Sequence, residues 1–228
     1  MAHGVRYQKM EMKRRKAKWK FAKNFIKSIK VYFKDHERRF PINPFQILTD
    51  LGIHFVFRNF KKLEGLYLPA SEDMPMDLVA ININRPITRQ RFSATHELCH
   101  YLKDVQNQSF MWAIASNDFI EKYAESFASA FLMPEDELQS QIELRNRTGE
   151  LTLDDVLIIA DHFGTSFKAC YYRIRSLYPY LIPYYKTSQL DKYKPERKRK
   201  ELGLSYTGLY DDLFDAWEDV NNQCSTGI

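Results

Sequence analysis

Arg91 to Leu102 read RFSATHELCHYL, which sets His96, Glu97 and His100 in the spacing H-E-x-x-H. On a helix, positions i and i+4 lie one above the other on the same face. Two imidazoles so stacked can each offer a nitrogen to one Zn²⁺ ion. The carboxylate that follows the first of them can reach a water beside that ion. Phe92, Leu98 and Leu102 give the helix an apolar side, and Asn84 and Pro86 supply a start signal just upstream.

Two histidines make a poor zinc site; a catalytic one needs a third protein ligand and room for water. The extended form H-E-x-x-H-x-x-G-x-x-H is excluded, because Lys103 stands at its Gly position and Gln106 at its last His. His3, His36, His54 and His162 have no spacing that recommends them. The better source is the next helix, which carries Glu121 and Glu125 four apart on one face of IEKYAESFASAFLMP. If one carboxylate binds the metal, the other can hydrogen-bond a liganding histidine and set its tautomer. Spacing leaves the assignment of these two roles open.

Upstream of the motif, Asn43-Pro44 reads as a cap and first position of a short helix that Gly52 stops. Ile53–Phe57, Leu66–Pro69 and Asp77–Ile83 then read as three short strands. Val79 to Ile83 is placed either at the sheet edge, where it would pair with an extended peptide, or inside the core. Three strands followed by the motif helix predict an α+β fold: a small three-stranded sheet packed on a helical core, with further helices after it.

Downstream, Ser116 or Asn117 caps the helix that holds Glu121, which runs to about Met133. Pro134 starts another, closed by Gly149. Thr152 caps LDDVLIIADHF, and Thr165 or Ser166 caps FKACYYRIRSL. This last pair, joined by a short turn at Gly164, has the outline of a helix-turn-helix. Residues 178–207 are rich in Tyr, Pro and Lys and contain a basic run, Lys194 to Lys200, that reads as linker. A final amphipathic helix sets Leu209, Leu213, Trp217 and Val220 against an acidic side.

Charge is unevenly placed. The 228 residues carry a formal +5, yet residues 1–40 hold 14 Lys/Arg against 3 Asp/Glu. From Lys13 to Lys34, Trp19, Ala22, Phe25, Ile26, Ile29, Tyr32 and Phe33 fall at helical spacing, with Lys and Arg on the other side. A basic head could meet nucleic acid or an acidic partner. The three cysteines, Cys99, Cys170 and Cys224, are odd in number and widely spaced, so no disulfide framework is expected. No apolar run reaches 18 residues and no apolar core follows the basic start. A soluble, cytoplasmic protein with no membrane partner is expected.

The runs ININRPITRQRFSATHELCHYL and EKYAESFASAFLMP, and more weakly DHFGTSFKACYYRI, resemble the ImmA/IrrE-type zinc metallo-endopeptidases, a gluzincin-like family, over roughly Pro44 to Leu177. The resemblance implies zinc held by His96, His100 and Glu121, with Glu97 as general base. It also implies a protein substrate, such as a DNA-binding repressor, often in mobile elements or stress responses. Two positions depart from the pattern. Cys99 stands where Gly is usual and is read as packing. Glu125 stands where Asn or Asp is usual. The resulting organisation is a basic helix in 1–40, a zincin-like peptidase core in 41–148, a helix-turn-helix-like unit in 149–180 and an extension with an acidic helix in 181–228. Guesses for the oxyanion donor are Tyr101, Tyr123 and His162. The rival reading is a DNA-binding or repressor-binding regulator whose metal site does not cut. Its candidate DNA-facing residues are Lys168, Arg173 and Arg175.

Overall fold

Asn43 accepts hydrogen bonds from the main-chain N–H groups of Phe45 (3.1 Å) and Gln46 (3.3 Å), and Pro44 takes the first helical position. Helix α1 (Pro44–Asp50) therefore starts where its otherwise orphaned donors are met. The structure is a computed structural model that describes residues 40–105, 117–146 and 149–225. The basic segment before Phe40 and the apolar run Phe110–Ala115 lie outside the described residues.

Three strands follow α1: β1 (His54–Arg58), β2 (Gly65–Leu68) and β3 (Leu78–Asn82). They form one sheet in the order β1-β3-β2, with β3 parallel to β1 and antiparallel to β2. β3 is the central strand, so an edge position for Val79–Ile83 is ruled out. Its run of buried residues reflects partners on both sides and cover on its faces. The edge next to the motif helix belongs to β2, whose residues alternate between half-buried and exposed.

Phe55, Phe57, Tyr67, Val79 and Ile81 alternate along the three strands and share the sheet's inner face. Phe45 packs on Phe55 with ring centroids 5.6 Å apart, and Trp217 stacks on Phe57 at 5.5 Å. Asn82, fully buried, donates to the carbonyls of Phe60 (2.9 Å) and Leu63 (2.7 Å) and so ties down the loop leading to β2.

The motif helix α2 (Ile87–Val105) packs on β2, β3 and α3 (Asn117–Leu132). Beyond these come α4 (Glu135–Glu143), α5 (Leu153–His162) and α6 (Phe167–Leu177). A capping box between Thr152 and Asp155 starts α5, and the Ser166 hydroxyl, not Thr165, caps α6. The stretch after α6 holds two short helices, α7 (Thr187–Lys192) and α8 (Pro195–Glu201), and the basic run expected as linker forms the second. Tertiary contacts fold it. Leu190 is fully buried, the Tyr193 hydroxyl donates to Asp154 (2.6 Å), and Arg199 pairs with Asp161 while lying 3.6 Å from the centre of the Tyr206 ring. The last helix is α9 (Thr207–Ser225). Its buried face is Leu209, Leu213 and Ala216; Trp217 stays 42% exposed despite its contact with Phe57.

The apolar residues gather in two clusters. One joins the sheet to α1, α2, α3 and α9; the other joins α4 to α7. Arg91, on the first turns of α2, bridges them. Its side chain is 0% exposed and donates to the carbonyls of Gly164 (3.1 Å) and Ile42 (2.5 Å), with Asp212 at 3.7 Å. Among the described residues, no helix is long and apolar enough to cross a membrane.

Candidate metal centre

Helix α2 turns the rings of His96 and His100 towards each other, with their Nε2 atoms 3.2 Å apart. α3 buries Tyr123, Phe127 and Phe131 at four-residue intervals. That fixes its rotation and presents Glu121 to the histidine pair. One carboxylate oxygen of Glu121 lies 3.1 Å from His96 Nε2 and the other 3.7 Å from His100 Nε2. One ligand atom from each of the three residues falls within 4.8 Å of the other two.

The donor set suits a metal ion. Two imidazole nitrogens and one carboxylate oxygen form a donor set of the kind that holds zinc with a position to spare. Two facing Nε2 atoms at 3.2 Å demand that one ring donate and the other accept. A shared cation removes that demand, because each neutral ring then offers a lone pair. His96, His100 and Glu121 could thus hold a metal. Glu121 is exposed, so the centre opens to solvent on its side.

Glu125, one turn further along α3, is exposed and makes no hydrogen bond or ion pair among the described residues. The structure brings Glu121 to the histidines and leaves Glu125 without the hydrogen bond that would steady a liganding ring.

Glu97 lies against Gly65 of the edge strand and is 7% exposed. Burial pushes its carboxyl up to about 7; the Tyr67 main-chain hydrogen bond opposes this and the charge of Glu121 adds to it. Its place depends on a residue not expected from the sequence to take part. A Cβ at Gly65 would lie 2.8 Å from Glu97 Oε1 and 3.1 Å from its Cγ, so only glycine lets the carboxylate come this close to β2. A glycine inside a strand is a known sign of such close approach. Arg91 was likewise not singled out, although it lies within the motif helix and carries no signal that distinguishes it from a surface arginine.

Cys99 is buried within the hydrophobic cluster and is not among the three grouped ligands. The Tyr101 ring meets Tyr67 edge-on at 5.9 Å, and Tyr123 is buried. His162 is taken up elsewhere, with its Nε2 2.9 Å from Glu137 and its ring against Phe40 and Phe163.

The residues offered for DNA contact are occupied. Arg173 is 4% exposed and donates to the Met133 carbonyl, Arg175 donates to the carbonyls of Pro179 and Ile182, and Lys168 pairs with Asp191. A helix that reads base edges needs such side chains free.

The family model described as the IrrE N-terminal-like domain, Peptidase M78, matches residues 48–175. The match spans all three strands, the histidine pair, Glu121, helices α4 and α5 and most of α6. Comparison with curated protein sequences finds no match. Among solved structures, a Mycobacterium tuberculosis transcriptional regulator is similar at 16% identity and a TM-score of 0.48, over 64% of this chain and 44% of that one. The chain thus spans less than half the length of that regulator, and a likeness of this degree carries no argument about what it does. The family match alone covers more than half the chain, and with it the protein belongs to the Peptidase M78, IrrE N-terminal-like family of metallopeptidases.

Proposed function

We propose that this protein is a zinc-dependent endopeptidase that cuts a specific protein partner, such as a DNA-binding repressor, in the cytoplasm. The observation that carries the reading is the convergence of His96, His100 and Glu121 on one point, with Glu97 buried beside them. When bound, zinc supplies a Lewis acid that polarises the scissile carbonyl and makes water acidic enough to attack at neutral pH. His96 and His100 hold it from one rigid helix and Glu121 from another. Glu97 takes a proton from the attacking water and delivers it to the leaving amine. Gly65 and the Tyr67 N–H keep that carboxylate in place. Strand β2 is an edge strand of the described sheet, and an extended peptide added to that edge would lie beside the centre. The two described free cysteines, both buried, suit a reducing compartment.

Metal content and cleavage, measured together, test this. His96→Ala and Glu121→Ala are expected to lose zinc. Glu97→Gln is expected to retain one equivalent and to lose cleavage of the partner by at least a hundredfold. Wild-type cleavage by Glu97→Gln would remove Glu97 from the reaction. Full zinc retention in Glu121→Ala would remove Glu121 from the ligand set.

A further inference from the structure

Helix α9 carries an aromatic stripe that stays partly exposed among the described residues. Tyr210, Phe214 and Trp217 lie at i, i+4 and i+7 and are 45%, 59% and 42% exposed, on a different face from buried Leu209, Leu213 and Ala216. The same helix contains five acidic residues, Asp211, Asp212, Asp215, Glu218 and Asp219, and no basic ones. Asp211 and Asp215 are exposed and form no ion pair among the described residues, and their charges add to the upward shift of Asp212. An apolar stripe bordered by Asp211 and Asp215, which carry like charge, invites a cationic, amphipathic cover.

The chain supplies such a segment. Lys13–Lys34 holds ten Lys/Arg and no Asp/Glu, with Trp19, Phe25, Ile26, Ile29, Tyr32 and Phe33 on a helical stripe. The described chain begins beside α9. Phe40 and Pro41 share a cavity wall with Gly208, Leu209 and Asp212, on the first turns of that helix. Five residues, 35–39, separate Lys34 from Phe40 and can span up to about 17 Å. As a helix, the 22 residues of 13–34 would measure about 33 Å, against about 28 Å for the 19 residues of α9.

We propose that residues 13–34 dock along α9 as an antiparallel helix, setting their aromatic stripe on Tyr210, Phe214 and Trp217 and their lysines against Asp211 and Asp215. The direction follows from the connection: the C-terminal end of the segment is tied to the N-terminal end of α9, so a helix lying along α9 must run against it. The basic head is then an internal clamp rather than a nucleic-acid arm.

Hydrogen–deuterium exchange on the full chain tests this. Amides of residues 19–33 are expected to be protected in the wild type. Their exchange is expected to quicken at least tenfold in Tyr210→Lys/Phe214→Lys, whose altered side chains lie outside the buried clusters. Ile29→Asp, on the segment itself, is expected to give the same loss with the unfolding midpoint of the rest little changed. Three results overturn the proposal: rapid exchange of 19–33 in the wild type; protection that both variants leave intact; and protection that follows a dimer seen by light scattering, which makes a second copy the occupant. Protection that appears only when duplex DNA is added overturns it in favour of nucleic acid.

Discussion

Glycine at position 65 is the residue whose replacement separates the candidate reaction from the candidate metal site. Its missing Cβ leaves room for Glu97 Oε1, and the Glu97 side chain is boxed in by burial. Gly65→Ala should push the carboxylate outward by a substantial part of an ångström. A displacement on the order of 1 Å can cost about a hundredfold in rate. The expected outcome is zinc binding unchanged from wild type, with cleavage reduced at least tenfold. Equal cleavage rates for the two proteins would show that the close approach does not matter. At this scale the site was largely legible. His96, Glu97 and His100 sit within one turn of helix, so chain order alone puts them together. Glu121 was one of two candidates, and only the packing of Tyr123, Phe127 and Phe131 selects it over Glu125.

The α5–α6 turn makes the matching case for an element. Gly164 holds a φ of +60°, and a Cβ there would lie 2.7 Å from Leu209, 3.0 Å from Pro41 and 3.1 Å from Arg91 Nε. Gly164→Ala therefore adds left-handed strain to overpacking, together about 2–4 kcal/mol. Thermal or denaturant unfolding should show a lower midpoint with an unchanged transition slope. A shift below about 1 kcal/mol would mean that α9 and the chain at Pro41 yield easily. The caps at Asn43, Thr152 and Ser166 were readable because they act within four residues. The strand order was not. Pairing β3 between β1 and β2 depends on contacts across the sheet, to which local alternation is blind. Short helices α7 and α8 were missed for a similar reason: Pro, Lys and Tyr signal linker, and burial of Leu190 and Arg199 overrides them.

Over the whole molecule, Arg91 joins the two apolar clusters. Burial lowers its pKa to about 10 against the opposing pull of Asp212, and burial likewise shifts Asp212 upwards. Both partners are shifted towards their neutral forms, so the ion pair itself adds little stability. What Arg91 contributes is two hydrogen bonds to the carbonyls of Gly164 and Ile42, which take no other donor among the described residues. Arg91→Met keeps much of the volume and removes both, and it should cost about 3–5 kcal/mol in global unfolding. Zinc stoichiometry of the folded fraction is expected to stay at the wild-type value. Loss of zinc at temperatures where the variant is still folded would show that the bridge also sets the metal centre. The sequence by itself determined the α+β class, the two histidines and the carboxylate between them, because helical spacing and capping are local and survive without knowledge of neighbours. Only the tertiary structure decided that β3 is central, that Glu121 and not Glu125 meets the histidines, that the basic run after Lys194 is docked, and that an arginine inside the motif helix is a core residue. Each of those depends on groups far apart in the chain arriving at the same place, and burial then sets which of them can remain charged, exposed or free.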